Sequence, residues 1–233
     1  MTTTTHLHIS NTIVMKKTFI LVLSILFGFN TFAQRVRVYE HYSFSYGFGD
    51  KTNLPSFGYA QSLAMGKNYS YRFHAGFKLY KNYALKPSLN SYVSDDKSVL
   101  LINKTFSNTT LNFPVGFEIK TNKLSVGINT DILGLTFAKK TSQATISDQT
   151  HESLQVNAAS NNFLFAFKNR GNLNTELYFA FSPQEEFSIR VGTIYSRSQY
   201  QTSYTENTAT INGAKYGRQT LIPFIGLVFN FEK

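Results

Sequence analysis

Two runs of strict alternation, joined by a polar turn, constrain this chain more than any other feature. Leu111, Phe113, Val115, Phe117 and Ile119 alternate with Asn112, Pro114, Gly116, Glu118 and Lys120. After Thr121-Asn122-Lys123, Leu124, Val126, Ile128 and Ile132 alternate with Ser125, Gly127, Asn129 and Asp131. A period of two sends successive side chains to opposite faces, and two such runs about a short Asn-containing turn predict a β-hairpin. Soluble strands mostly run to about five or six residues. Each arm here runs to about ten, and about nine to eleven tilted residues are what a strand needs to cross a bilayer. The stretch predicts strands of an outer-membrane barrel.

The same pattern recurs along the chain. Val36, Val38, Tyr42, Phe44, Tyr46 and Phe48 share one face of a first strand, with Glu40 as the exception. The Gly-, Ser- and Asn-rich segment 49–68 reads as a loop, within which 57–65 extends as a β-ribbon beyond the membrane. Tyr69, Tyr71, Phe73, Ala75, Phe77 and Leu79 make a second strand, Lys81-Asn82 a tight turn, and Tyr83, Leu85, Pro87, Leu89 and Ser91 a third. Pro87 is awkward there, because proline cannot donate to a ladder. The hairpin 111–132 supplies the fourth and fifth strands, with a bulge expected at Gly134. Leu173 to Phe181, Phe187 to Tyr195 and Leu221 to Phe231 complete eight. A short apolar run, Val99 to Ile102, belongs to a loop extension; two further membrane strands there, making ten, is the alternative.

On this reading short turns at 81–82, 121–123 and 183–185 alternate with long links at 49–68, 94–109, 138–172 and 198–217. Outer-membrane barrels pair short periplasmic turns with longer external loops, and an even strand count leaves both termini periplasmic. A soluble barrel has no physical reason to sort its loops in this way. The fold class predicted is therefore all-β: an eight-stranded antiparallel up-and-down transmembrane β-barrel.

Met15-Lys16-Lys17-Thr18, an apolar run of about eleven residues, and small Ala33 before Gln34 have the form of a secretory signal, too short for a membrane-spanning helix. Residues 1–33 are thus expected to be an N-terminal extension and cleaved signal peptide, with Met15 the initiating residue, and 34–233 the barrel domain. The formal charge is +10, and removal of Lys16 and Lys17 leaves 21 basic against 13 acidic residues, a net +8. The basic residues are dispersed rather than clustered, which argues against nucleic acid as a partner. Lipopolysaccharide phosphates and outer-membrane lipid are the expected acidic and apolar neighbours. No Cys is present, which excludes disulfides and thiolate metal sites. The 22 Phe and 14 Tyr, with no Trp, are left to form the interface girdles.

YRFHAGFKLYKNYALKPSLNSYVS and LNFPVGFEIKTNKLSVGINTDI resemble the porin-like outer-membrane β-barrel family of Gram-negative bacteria. The matching positions are Gly76, Pro87-Ser88-Leu89 and Phe113-Pro114. Over about residues 35–233 the resemblance implies an eight-stranded outer-membrane barrel and no particular transport activity. Phe229-Asn230-Phe231 resembles the aromatic terminal strand that the barrel assembly machinery engages, although Glu232-Lys233 follow it.

Eight strands enclose a space just wide enough for side chains. Inward polar residues are therefore expected to form a structural lumen network of Arg72, His74, Lys78, Lys86, Glu118, Asp131, Glu176 and Arg190. Charges in so dry a space should be paired. Glu118 is expected to meet Lys86 and Lys78, and Arg190 to reach Glu176 diagonally across neighbouring strands. No spacing marks a Ser-His-acid set around His41 or His74, and no phosphate loop, zinc helix or EF-hand loop occurs. Catalytic, cofactor-binding and metal residues are not predicted, and no cofactor is. Asp95-Asp96 read as solvated turn acids, and Tyr200, Tyr204 and Tyr216 as girdle residues. The function expected is a non-enzymatic, porin-like barrel with a plugged lumen, whose loops 139–172 and 198–217 offer an extracellular ligand surface. A small-solute diffusion channel, a structural envelope barrel and a lipid-modifying enzyme are the alternatives.

Overall fold

β-branched and aromatic residues at alternate positions favour pleated strands over helices, and strand dominates the described residues. The computed structural model describes residues 36–91, 99–102, 105–138, 144–146, 154–165, 171–206 and 209–232. The expected signal peptide, its cleavage site and Asp95-Asp96 lie outside the described residues. The strands are β1 (Arg37–Gly49), β2 (Thr52–Met65), β3 (Tyr71–Ala84), β4 (Ser88–Ser91), β5 (Val99–Ile102), β6 (Phe106–Thr121), β7 (Leu124–Ala138), β8 (Ala144–Ile146), β9 (Gln155–Ala158), β10 (Asn161–Phe163), β11 (Leu173–Gln184), β12 (Phe187–Glu206) and β13 (Ala209–Glu232).

Eight of them form a closed antiparallel ring in the order β1-β2-β3-β6-β7-β11-β12-β13, sealed where β13 pairs β1 through Tyr42 opposite Phe229. Closure removes every edge from the wall. β1 starts and β13 ends at one mouth, called here the terminus-bearing mouth; the opposite one is the far mouth.

The expected number of strands is present, but 83–91 is not one of the wall strands and 52–65 is. Segment 52–65 is wall strand β2 rather than a loop, paired with β1 over its whole length. Its inward positions Ser56, Gly58, Ala60, Ser62 and Ala64 are small, so its low hydrophobicity resembled a loop while its outward positions Phe57 and Leu63 carried the alternation. Lys81-Asn82 is no turn: β3 runs straight through it, pairing Lys81 with Thr109 and Asn82 with Asn108. The tight turn is Asp50-Lys51, with Lys51 at φ 57°. Pro87 consequently falls outside the wall, between β3 and β4, where its carbonyl accepts from the Ile102 N–H at 3.1 Å. The sorting of link lengths holds at the terminus-bearing mouth and fails at the far one, where links of two residues and of more than thirty coexist.

The reading frame of the founding hairpin is as expected, with Asn122-Lys123 the turn and Asn122 at φ 50°. The bulge lies at Ile132 rather than Gly134: Phe113 opposes Leu133 and Pro114 opposes Asp131. The β3–β6 ladder is also interrupted there, between the Ala75–Val115 and Lys78–Asn112 pairs. The missing N–H of Pro114 thus sits where neither neighbouring ladder is regular.

The wall is inverted relative to a soluble barrel. Phe77, Leu124 and Phe179 stand outward at 56, 64 and 63% exposure, while Asn112, Asp131 and Glu176 point inward at 1 to 2%. Leu111, Val126, Ile128, Leu135, Leu177, Val191, Leu221 and Ile225 continue the apolar outer surface around the ring.

Above the far mouth β12 and β13 run on as a paired hairpin to Glu206 and Ala209, so 198–206 and 209–217 are strand and not an open loop. β4, β5 and β8 add to one side of this hairpin and β9 to the other. Inside this second sheet, Leu89, Leu100, Ile102, Phe106, Leu154, Val156, Tyr200 and Tyr216 pack into an apolar core. β10 pairs β7 above the point where β11 ends, filling the wall there. Of segment 139–172, the described parts are β8 to β10 and their immediate neighbours.

Candidate functional site

Alternation delivers one side chain per two residues to the lumen, and eight strands bring those side chains within contact of one another. From the terminus-bearing mouth inward, the first closed layer centres on Glu118 of β6. Arg190 Nη2 of β12 donates to Glu118 Oε2 at 3.2 Å, and Tyr178 Oη of β11 donates to the same oxygen at 3.0 Å. Arg72 Nη1 of β3 stands 4.0 Å from Oε1. The Arg190 guanidinium also lies 4.3 Å over the Tyr178 ring, a cation–π contact.

The second layer centres on Glu176 of β11. Lys78 of β3 forms a buried ion pair with Oε1, Tyr80 Oη donates to the same oxygen at 3.3 Å, and Asn129 Nδ2 donates to Oε2 at 3.0 Å. Asn129 Oδ1 in turn meets His74 Nε2. His41 stands edge-on to His74 at 5.6 Å and bonds Ser62 Oγ through Nδ1 at 3.0 Å.

The third layer is built on asparagine. Asn112 Nδ2 donates to Asp131 Oδ2 at 2.6 Å, and the Asn174 N–H donates to the same oxygen at 2.9 Å. Asn162 Nδ2 donates to Asn112 Oδ1 at 3.1 Å, and Asn162 Oδ1 accepts from the Asn172 N–H at 2.7 Å. This chain of amides fastens the β10 segment to the wall. Leu54, Tyr80, Tyr178, Ala180, Ile194, Ile222 and Phe224 form a buried apolar cluster inside the ring, and the second sheet has its own apolar core.

Of the eight residues expected in the lumen, Arg72, His74, Lys78, Glu118, Asp131, Glu176 and Arg190 are there, in three layers. Lys86 is not: it is exposed beyond the end of β3, at φ 43°. The error follows from the turn assigned to 81–82, which folded Lys86 back inside. The pairings differ accordingly. Glu118 takes Arg190 in place of Lys86, and Glu176 takes Lys78 in place of Arg190. Sequence reasoning missed Asn112, Asn129, Asn162, Asn172, Asn174 and Tyr178 as network members. Asn112 and Asn129 were legible as inward positions of the founding hairpin. Among the described residues no three His, Asp or Glu side chains converge as a metal site requires.

At the terminus-bearing mouth the lumen opens into a cavity of about 710 Å³. Its walls are the ends of β1, β3, β6 and β11 and the turns 66–70, 121–123 and 182–185. Backbone bonds from Lys120 N–H to Ser70 C=O and from Ser182 N–H to Lys123 C=O, both 2.7 Å, tie these turns together.

No family model and no curated protein matches this chain. Among solved structures it is similar to the outer membrane protein OprG from Pseudomonas aeruginosa, at 10% identity over 84% of this chain and 97% of that one, with a TM-score of 0.41. It is similar to the outer membrane protein AlkL at 8% identity over 85 and 92% of the two chains, with a TM-score of 0.37. Neisserial surface protein A gives 11% identity over 84 and 97%, with a TM-score of 0.29.

Proposed function

We propose that this chain is an integral outer-membrane barrel without catalytic activity, its lumen plugged by its own side chains and its far-end sheet presented to the exterior as an interaction surface. The observation that carries this reading is the inverted wall: an apolar outer belt around a polar, ion-paired interior. In water such a belt would expose many large apolar side chains at once, far more than a monomeric soluble protein tolerates. In a bilayer it is the surface that lipid requires, and closure satisfies the backbone groups that lipid cannot. The short turns at the terminus-bearing mouth favour the periplasmic side for both termini. Three hydrogen-bonded layers and the apolar cluster inside the ring support a plug over a diffusion channel.

The test is conductance. Purified full-length chain, reconstituted into planar bilayers after outer-membrane fractionation, is expected to show heat-modifiable migration on gels and no stepwise ion current. Discrete current steps would overturn the plug, and recovery in the soluble fraction would overturn the location. An external partner binding through 198–217 is expected to be lost when that hairpin is shortened, with heat-modifiable migration retained.

A further inference from the structure

The cavity at the terminus-bearing mouth has a chemistry of its own. Arg37, Arg72, Lys120 and Lys123 line it against a single lining acid, Glu185. Arg37 is engaged on the rim, where its Nε lies 3.3 Å from Glu232 Oε1. The other three cations are under-compensated. Arg72 reaches Glu118 only at 4.0 Å, because Glu118 is already held by Arg190 and Tyr178. Arg72 Nε is buried without a hydrogen-bond partner, while the guanidinium is held 4.9 Å over the Tyr39 ring. Among the described residues neither Lys120 nor Lys123 has an acidic group within ion-pair distance. Thr121, Asn122 and Gln184 add neutral polar side chains around them.

A volume of about 710 Å³ is in the range of small-molecule sites, about 300–1,000 Å³. Arg72 joins this space to the layer around Glu118, so the guanidinium lies at its inner end. A planar guanidinium fork at the inner end with two point charges on the wall is the donor set that phosphate oxygens fit.

We propose that this vestibule is a binding site for a small phosphate-bearing ligand, with Arg72 at its inner end and Lys120 and Lys123 on its wall. The assignment does not depend on the plug carrying no current; a barrel that conducted would still present these three cations. Calorimetric titration of the full chain in a maltoside detergent with inorganic pyrophosphate, at low salt, is expected to give saturable binding at one site. Lys120→Ala with Lys123→Ala is expected to weaken it by at least about tenfold, the loss of charge-assisted hydrogen bonds, while Lys120→Arg retains it. Both lysines lie at the mouth, and unchanged heat-modifiable migration checks the fold of each variant. Competition by glycerol phosphate would assign the phosphate to a lipid headgroup, and its failure to a free solute; both fit the site. Absence of saturable heat, binding unchanged in the double variant, or citrate binding as tightly as pyrophosphate would overturn the proposal.

Discussion

Glu118 shows what a buried charge demands in a lumen this narrow. It is 4% exposed, and it holds Arg190 at 3.2 Å and Tyr178 at 3.0 Å. Removing one partner of such a cluster typically costs about 3–5 kcal/mol, because the cation left behind is uncompensated. Glu118→Gln is therefore expected to lower the urea midpoint of the refolded barrel by an amount in that range, and an unchanged midpoint would show that the layer contributes nothing to stability. Lys78→Met is expected to cost a similar amount by leaving Glu176 unpaired. Lys78→Met combined with Glu176→Gln is expected to recover much of that loss, which a double-mutant cycle measures directly. Gly127 makes the complementary point about space. A methyl group there lands on the Tyr178 ring, which Arg190 and Glu118 already hold in place, whereas at Gly49 the nearest atom is 3.6 Å away. Gly127→Ala is expected to slow barrel assembly and Gly49→Ala to leave it unchanged, as followed by the heat-modifiable band.

At the scale of the element, the strand is the unit that either suits lipid or does not. Phe179 sits near the middle of β11, facing outward, so Phe179→Arg is expected to destabilise the barrel in lipid vesicles by about 2–4 kcal/mol, the cost of arginine at the bilayer midplane. A barrel that lived in water would gain solubility from the same change. The far-end sheet obeys the opposite logic, with an apolar inside. Tyr200 in its core is pushed up to about 12 by burial, partly offset by its hydrogen bond with Ser198 and by Arg218. The folded state then holds a proton that the unfolded state releases near pH 10. Stability from this group is present below about pH 10 and is lost as pH rises toward about 12. Hydrogen exchange in β9 is expected to quicken across that window, and Tyr200→Phe to flatten the response. The same contrast explains what the residues revealed. The alternation of 111–131 reported facing correctly, because those positions differ sharply in polarity, while the bulge at Ile132 left no such mark. β2 escaped because its inward side chains are mostly small and read as the Gly- and Ser-rich composition of a loop. The pairing of Glu118 escaped because a partner across the barrel is fixed by the stagger of all eight strands, which no local pattern encodes. The positions of Asn162 and Asn172 depend on β10 seating in the wall, a tertiary event with no periodic signature.

At the scale of the whole molecule, a ring of eight strands is complete only when its first and last members meet. β13 pairs β12 as a local hairpin across a two-residue link, and it pairs β1 through contacts such as Tyr42 opposite Phe229, more than 180 residues apart in sequence. Contacts so distant carry the largest loop-closure cost and form late. The hairpin is expected to be protected first in pulse-labelled refolding into vesicles, and the β1–β13 pairs last. Substituting Phe231 with Ala, which removes its edge-on contact with Tyr42 of β1 at 6.0 Å, is expected to slow that final phase more than it lowers equilibrium stability. The seam has one more consequence. Until it forms, both partners present unsatisfied backbone and a row of aromatic side chains, so the interval before closure is when this chain is most open to pairing with a neighbouring copy; the lifetime of that interval, more than the strength of the finished ring, sets how much of it survives to become a barrel.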